Sequence, residues 1–465
     1  MSLTTEAPRT EGPPLVRRFG LLQATALNMS NMIGVGPFIT IPALMAAMGG
    51  PQAILGWVAA LVIALADGLV WSELGAAMPG SGGSYTYLRH AFGPGRFGRL
   101  IVFLFIWQFL FSAPLEIASG YIGFAQHVGY LWPKMTTFQS HLVKIGIGIL
   151  TIVLLYRRIT SIGKITVALW IGTLLTVGVI VVSGPFHFNP KIAFDFPPGA
   201  FNFSIGFFLG LGAAARIGMY DYLGYYDVCF IGDEVKEPGR VIPRSILISL
   251  VAVAAIYLTM NLSLIGVVSW REVVLNPMPD PPPAIASMFI ERLYGPWVAN
   301  GFTVMVLWTA FASCFALMLG WSRVPYAAAR DGNFFTIFSR VHPTQRFPHV
   351  SLLAVGIISI ACSFFSLSWV IDALLTTRIL VVFIAQIGAV VWLRRNSPNL
   401  QRPFRIWLYP FPIVIALVGW LFLLFTTDRK LLAYAGIVLG AGGLAFALFS
   451  RKLAKSPAPL SAVNG

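Results

Sequence analysis

Charged residues are scarce in this sequence: Asp, Glu, Lys and Arg together make up 11% of its 465 residues, whereas 57% are hydrophobic. In a water-soluble globular domain roughly a quarter of the residues are charged, so this composition excludes a soluble enzyme or a soluble binding domain. Apolar stretches of about 20 residues, which cross ~30 Å of hydrocarbon as a helix, recur from Leu21 to Ser450. The composition therefore predicts an all-α membrane protein.

Cysteine and histidine are also rare, with three and six residues. The cysteines (Cys229, Cys314 and Cys362) lie in or beside apolar stretches, where we expect small buried side chains. Their spacing is not typical of a disulfide framework or of a metal site. The sequence also has no H-E-x-x-H motif and no Ser/His/Asp pattern of a hydrolase. It therefore predicts no metal, no cofactor and no enzymatic activity.

Twelve apolar segments are predicted to cross the membrane: residues 20–48, 53–78, 99–129, 141–156, 161–183, 201–232, 244–268, 296–321, 350–367, 369–393, 405–426 and 430–450. The first twenty residues are polar and contain proline, so we expect no cleavable signal peptide. The predicted layout is a tail at 1–19, a single membrane domain at 20–450 and a tail at 451–465. Within the domain, residues 20–183 and 201–393 hold five segments each, and residues 405–450 hold the last two.

The positive charge is unevenly distributed along the chain. A net charge of +15 and a pI near 10.0 would suggest nucleic acid binding in a soluble protein. Most Lys and Arg residues, however, fall in the two tails and in the loops on the same side of the predicted membrane domain, as the positive-inside rule describes for cytoplasmic segments. We therefore predict that both termini are cytoplasmic and that membrane lipid, not nucleic acid, is the partner.

Two of the predicted segments are interrupted. The first contains Gly34, Gly36 and Pro37. Because proline suits the start of a helix but cannot donate to the preceding turn, we expect a helix, a break and a second helix whose free amides favour a carboxylate. The sixth segment has Asp221 and Gly224 between apolar runs. Broken helices in corresponding positions of two halves are typical of a midplane site for a small molecule, whereas the alternative is that the glycines only allow close helix packing.

Ionisable side chains inside predicted spans cost roughly 2.5–3.5 kcal/mol each on insertion scales and are therefore functional candidates. The candidates are Glu116, Asp221, Asp227, Lys164, Arg216 and Arg378. Because Arg216 and Tyr220 are four residues apart, they share a helix face, and we expect Arg216 to face the same cavity as Tyr220. There it would pair with Glu116 or Asp221. The alternative for Arg216 and Arg378 is a structural ion pair.

Five motifs along the chain are similar to those of one transporter family. Residues 31–38 (Asn-Met-Ile-Gly-Val-Gly-Pro-Phe) resemble its first-helix motif, and residues 72–93 resemble the end of its second helix. Residues 232–244, 323–332 and 402–405 resemble its loops after the sixth, eighth and tenth helices. On these motifs the chain resembles the amino acid, polyamine and organocation (APC) superfamily, and bacterial amino acid permeases within it.

This resemblance implies a fold and a mechanism. The family fold is LeuT-like, with two inverted five-helix repeats, broken helices one and six, and two extra helices. Its members are secondary transporters that work by alternating access. The resemblance therefore implies a permease in the bacterial plasma (inner) membrane that moves an amino acid, coupled to protons or by exchange.

The resemblance also implies roles for individual residues. The substrate carboxylate is expected on backbone amides of the first break, including Val35 and Gly36, and the amino group on carbonyls near Ile33 and at the sixth-helix break. Tyr220 falls where many members carry an aromatic gate. Lys164 matches a fifth-helix lysine that in some members replaces sodium and couples transport. The expected substrate-binding residues are Ile33, Gly34, Val35, Gly36, Tyr220, Asp221 and Gly224, and the expected charge partners are Glu116, Arg216 and Asp227.

Two residues depart from the family pattern. Val35 replaces a small hydroxyl residue or alanine, and Pro37 removes one backbone amide, so fewer donors remain for a carboxylate. The loop before the fourth segment has no cysteine, and we therefore expect no disulfide-linked heavy chain.

The cargo is left open at this point. A zwitterionic amino acid needs only backbone dipoles, whereas a polyamine or cationic amine needs an acidic partner, which Asp221 and Glu116 could supply and Arg216 could neutralise. A non-transporting amino acid sensor is the alternative from another class. Such a sensor would usually need a large cytoplasmic extension, and the predicted tails are short.

Overall fold

A computed structural model describes residues 17, 19–80, 82–156, 159–274, 283–344 and 347–455. The described part of the chain is helical throughout, without a β-strand. An isolated bridge pairs Phe19 with Val235. The Phe19 amide donates to the carbonyl of Glu234 (3.0 Å), and the Lys236 amide donates to the carbonyl of Phe19 (2.9 Å). The bridge therefore joins the start of the first helix to the chain that follows the sixth segment.

The helices are, in chain order, α1 (Leu21–Met32), α2 (Gly36–Ile39), α3 (Ile41–Met48), α4 (Ile54–Ala77), α5 (Ser84–Phe92), α6 (Arg96–Leu131), α7 (Thr137–Leu155), α8 (Ile159–Phe186), α9 (Pro190–Ala193), α10 (Ile205–Tyr222), α11 (Pro238–Ile265), α12 (Trp270–Val273), α13 (Ile285–Tyr294), α14 (Pro296–Trp321), α15 (Arg323–Arg330), α16 (His349–Cys362), α17 (Leu367–Arg378), α18 (Ala385–Asn396), α19 (Phe411–Phe425) and α20 (Arg429–Lys455). A π-helical segment, Ile379–Ile384, joins α17 to α18.

The described helices confirm an all-α membrane protein. Seven helical stretches are long and apolar enough to cross a bilayer: Pro51–Ala77, Arg96–Leu131, Thr137–Leu155, Pro238–Ile265, Pro296–Arg330, Leu367–Asn396 and Arg429–Leu448. The bent pair Leu21–Ile39 and Ile41–Met48 is an eighth if it counts as one span. Helix also occupies each of the other predicted segments, so the number of twelve crossings stays a prediction.

Helices α4 and α6 each pack against several other helices. Helix α4 packs against α10, α11 and α19, and α1 packs against α11, whereas α6 packs against α14, α16 and α17. Small residues bring α4 and α10 close together, as is common for helices in membranes. A Cβ on Gly56 would lie 2.6 Å from the backbone carbon of Ala214, so the crossing has no room for a side chain at Gly56.

Both predicted helix breaks are confirmed. Residues 33–35 are non-helical between α1 and α2, and Pro37 is the second residue of α2. The chain then bends by 62° between Leu21–Ile39 and Ile41–Met48. In the sixth segment, α10 ends at Tyr222 and a turn follows at residues 223–226. Gly224 lies in this turn at φ +109°, a conformation that residues with a side chain rarely adopt.

Candidate functional site

A small cavity of about 50 Å³ lies where the two helix breaks meet. Helices α1 and α2, α6, α10 and α14 contribute its walls. The residues that line it are Ser30, Asn31, Met32, Gly34, Val35, Gly36, Glu116, Ser119, Gly120, Tyr220, Asp221, Leu223, Ser313, Ala316 and Leu317. Six residues of the expected site therefore line one cavity. They are Gly34, Val35, Gly36, Glu116, Tyr220 and Asp221.

The first break has fewer free amides than the family resemblance implies. The Gly34 amide donates to the carbonyl of Met32 (2.9 Å), and the Val35 amide donates to Oγ of Ser313 on α14 (3.0 Å). Gly36 is the first residue of α2, and amides in the first turn of a helix have no intrahelical partner. Of the amides at residues 34–36, that of Gly36 therefore remains for a ligand.

The two breaks are tied to each other by close contacts. A Cβ on Gly224 would lie 3.0 Å from Cβ of Asn31 and 3.2 Å from the backbone nitrogen of Met32. Nδ2 of Asn31 donates to Oδ2 of Asp227 (2.6 Å). Asp227, an expected charge partner, does not line the cavity. It joins the chain after the sixth-segment turn to α1 through its hydrogen bond with Asn31. These contacts hold the two breaks, which form two walls of the cavity, against each other.

Tyr220 spans the cavity from α10 to α6. Its hydroxyl shares a hydrogen bond of 2.6 Å with Oγ of Ser119, and its residue is 9% exposed. Ser119 was not among the expected site residues. It lies three residues after Glu116 on α6, so the two share a helix face, and this spacing is a signal that could have identified it.

Glu116 is neutralised by an arginine from α17. Nη2 of Arg378 lies 2.6 Å from Oε2 of Glu116, and Nε of Arg378 donates to Oγ of Ser112 (3.1 Å). Both side chains are nearly buried, at 3% and 10% exposure. The structural ion pair considered for Arg378 is therefore present, and one of its members faces the cavity.

Asp221 has no such cation. Its Oδ2 accepts a hydrogen bond from Oγ1 of Thr40 (2.8 Å), and the residue is 3% exposed. Its Oδ1 has no hydrogen-bond partner among the described residues. A Cβ on Gly36 would overlap this oxygen, so the carboxylate lies directly against the start of α2.

The expected pairing of Arg216 with Glu116 or Asp221 is wrong, and the alternative, a structural ion pair, is the one that the structure contains. Its Nε lies 2.6 Å from Oδ1 of Asp372 on α17, and its Nη1 donates to the carbonyl of Leu423 (3.2 Å). The reason is packing: α17 and α19 contact α10 and offer a carboxylate and a carbonyl there. Arg216 therefore fastens α10 to its neighbours away from the cavity.

The expected substrate-binding residues Ile33 and Gly224 do not line this cavity. Ile33 lines a second cavity of about 270 Å³, which shares Ser30, Asn31, Ser313 and Ala316 with the first and reaches Leu169 and Thr173 on α8. Lys164 belongs to α8, but its side chain lies outside the described part of the chain. Its expected coupling role stays a prediction.

The turn of the sixth segment is anchored from behind by a buried carboxylate. The hydroxyl of Tyr225 donates to Oδ2 of Asp67 on α4 (2.5 Å), and Nε1 of Trp420 on α19 donates to Oδ1 (3.1 Å). Asp67 thus has a structural role that holds the residue next to Gly224. No group of three or more His, Cys, Asp and Glu side chains within the described ranges could hold a metal ion.

The sequence as a whole was compared with protein families. The profile of one family, described as amino acid permease, matches residues 19–444. The chain belongs to the amino acid permease family. The predicted resemblance is thereby confirmed, and the permease is an integral, multi-pass membrane protein of a transporter family.

Individual relatives of the permease carry different cargoes. The serine/threonine exchanger SteT of Bacillus subtilis is 27% identical over 447 residues, which cover 94% of this chain and 97% of the relative. The human cystine/glutamate transporter is 27% identical over 417 residues, 87% of this chain and 79% of the relative. The branched-chain amino acid permease BcaP of Bacillus subtilis is 24% identical over 458 residues, 95% and 94%. All three are transporters of amino acids, and none of the three is named as an enzyme.

Proposed function

We propose that this permease carries a small amino acid across the membrane by alternating access, with the cavity between the two helix breaks as its substrate site. The observation that carries the proposal is the meeting of both breaks, Tyr220 and two acidic side chains around one cavity. Family membership supports the class of cargo. The volume of the cavity, about 50 Å³, supports a small substrate.

In this proposal the substrate lies across the breaks. Its carboxylate accepts from the Gly36 amide and from neighbouring hydroxyls, and its amino group faces the carbonyls near Ile33 and the sixth-helix turn, together with Asp221. A cavity of about 50 Å³ is far smaller than the clefts of roughly 300–1,000 Å³ that hold small ligands. Binding of an amino acid therefore requires the walls to move apart, as expected of a carrier that occludes its cargo.

The hydrogen bond between Tyr220 and Ser119 closes one side of the site, and the larger cavity beside it supplies a path on the other. That path runs between α1, α8 and α14. We assign it to the cytoplasmic side, in keeping with cytoplasmic termini and a twelve-helix, inverted-repeat fold. Lys164 belongs to α8, and in this proposal it couples transport to protons.

A polyamine or cationic amine is the second candidate, because Glu116 and Asp221 line the cavity. Two observations favour the amino acid over a long polyamine. Glu116 is already paired with Arg378 at 2.6 Å. The volume of the cavity, about 50 Å³, is small for a chain with several nitrogens. One acidic group, Asp221, remains for one nitrogen.

The test is transport by purified permease in proteoliposomes, with labelled L-serine, L-alanine, L-leucine and L-glutamate as cargoes. We expect saturable uptake or exchange of the small amino acids. Gly36→Val should abolish it, because the new side chain would overlap the carboxylate of Asp221. The matched control is Gly436→Val on α20, where a Cβ meets nothing within 4 Å.

Transport by Gly36→Val at wild-type rate and KM would show that the substrate does not bind at the first break. Failure of all four amino acids to be transported by the wild-type protein would reject the proposed cargo class.

A further inference from the structure

The cavity contains a carboxylate oxygen with nothing to bind. Oδ1 of Asp221 lies in the wall of the cavity, is buried, and has no hydrogen-bond partner within the described residues. Its other oxygen is satisfied by Thr40. Leaving a buried carboxyl oxygen without a hydrogen-bond partner is costly, so this oxygen is a position where a ligand would gain most by supplying a donor.

The described part of the chain provides no cation at this position. None of the described residues that line the cavity is basic. The two buried arginines of the neighbouring helices are occupied elsewhere, Arg378 by Glu116 and Arg216 by Asp372. No described side chain therefore supplies a positive charge next to Asp221, and a ligand that carries one would fit this position.

The position of Asp221 also weakens the case for a substrate carboxylate. The side chain lies against Gly36, at the start of α2, where the family pattern places the carboxylate of an amino acid. Of the amides at residues 34–36, those of Gly34 and Val35 are used within the protein. A substrate carboxylate at this break thus has one backbone donor, the Gly36 amide, and adds little to the free energy of binding.

We propose that Asp221 is the counter-ion of the substrate's ammonium group, and that a small primary amine without a carboxylate is therefore sufficient for binding. The inference rests on the proposed function, since it takes this cavity to be the substrate site. It names the ammonium group as the feature by which the permease recognises its substrates.

Matched ligands test the idea on the wild-type protein. Purified full-length permease is titrated by calorimetry and thermal unfolding with L-alanine and L-serine, with the corresponding amines ethylamine and ethanolamine, and with propionate and lactate, which lack the ammonium. Each amine is expected to bind within about tenfold of its amino acid, which corresponds to about 1.4 kcal/mol. The two carboxylates are expected not to bind. Amino acids that bind while both amines do not would overturn the inference and leave the proposed function standing.

The variant Asp221→Asn tests the residue itself, because it keeps an acceptor for Thr40 and removes the charge. Amine and amino acid affinities should both fall by about ten- to a hundredfold, as expected for the loss of a hydrogen bond to a charged group. The same change at Asp195, which pairs with Arg271 at 3.0 Å on the surface, is the control and should bind as the wild type does.

Three further outcomes would overturn the inference about Asp221. Unchanged affinity in Asp221→Asn, with amino acids still transported, would overturn the inference alone. No binding of any amine or amino acid would overturn both the inference and the proposed function. Stabilisation of the wild type by sodium chloride, absent with potassium chloride and lost in Asp221→Asn, would make the residue a sodium ligand and also overturn it. If Asp221→Asn does not fold, the comparison of matched ligands on the wild-type protein decides.

Discussion

Breaking the buried ion pair between Glu116 and Arg378 should destabilise the permease more than removing both charges together. The two groups are 2.6 Å apart at 10% and 3% exposure. With an effective dielectric constant of about 20, their Coulomb attraction is about 6 kcal/mol before desolvation. Removing one partner of such a pair typically costs about 3–5 kcal/mol, because it leaves an uncompensated buried charge.

The expected magnitudes follow from the surroundings of each charge. In Glu116→Gln the guanidinium of Arg378 keeps Ser112 and the rings of Phe109 and Trp321, whose centroids are 5.7 and 5.8 Å away. A cation over an aromatic ring gains about 0.5–2 kcal/mol, so this variant should lose about 3 kcal/mol. Arg378→Met leaves Glu116 facing the cavity and should lose about as much. The double variant should lose no more than about 2 kcal/mol, because neither charge remains unpaired.

The assay is the free energy of unfolding of purified protein, from titration with sodium dodecyl sulfate in mixed micelles and detection by circular dichroism. Glu237→Gln and Arg240→Met form the control cycle, since that pair is 73% and 77% exposed at 3.6 Å and should change stability by less than about 0.5 kcal/mol. The reasoning is refuted if the losses of the two single variants of the buried pair simply add in the double variant, or if each is below about 1 kcal/mol.

Two further variants address the gate and the coupling. Tyr220→Phe loses the hydrogen bond to Ser119 and should raise the KM for transport about three- to tenfold, in line with about 1 kcal/mol for one hydrogen bond; an unchanged KM in proteoliposomes would place the gate elsewhere. Lys164→Ala should keep substrate binding in a thermal-shift assay but remove the dependence of transport on a pH gradient, and pH-dependent transport at the wild-type level would reject the coupling role.

The sequence by itself determined the features that depend on local chemistry. The scarcity of charge and the repeated apolar stretches predicted a helical membrane protein, because only helices satisfy the backbone of such segments in lipid. The first break was predicted from Gly34, Gly36 and Pro37. The amide hydrogen that proline lacks and the side chains that the glycines lack affect only their own turn of the chain. The break in the sixth segment was predicted from Gly224 in the same way. The family motifs were equally readable, because they are short and contiguous.

Only the tertiary structure decided which side chains meet. Arg378 and Glu116 are separated by 262 residues, and Arg216 and Asp372 by 156. A helical pattern identifies the face that a residue occupies but not the helix that packs against that face, and for this reason the partner predicted for Arg216 was wrong. Ser313 was missed for the same reason: a serine in an apolar helix without an acidic neighbour has no distinguishing local pattern, and its role arises from the Val35 amide that packing places opposite it.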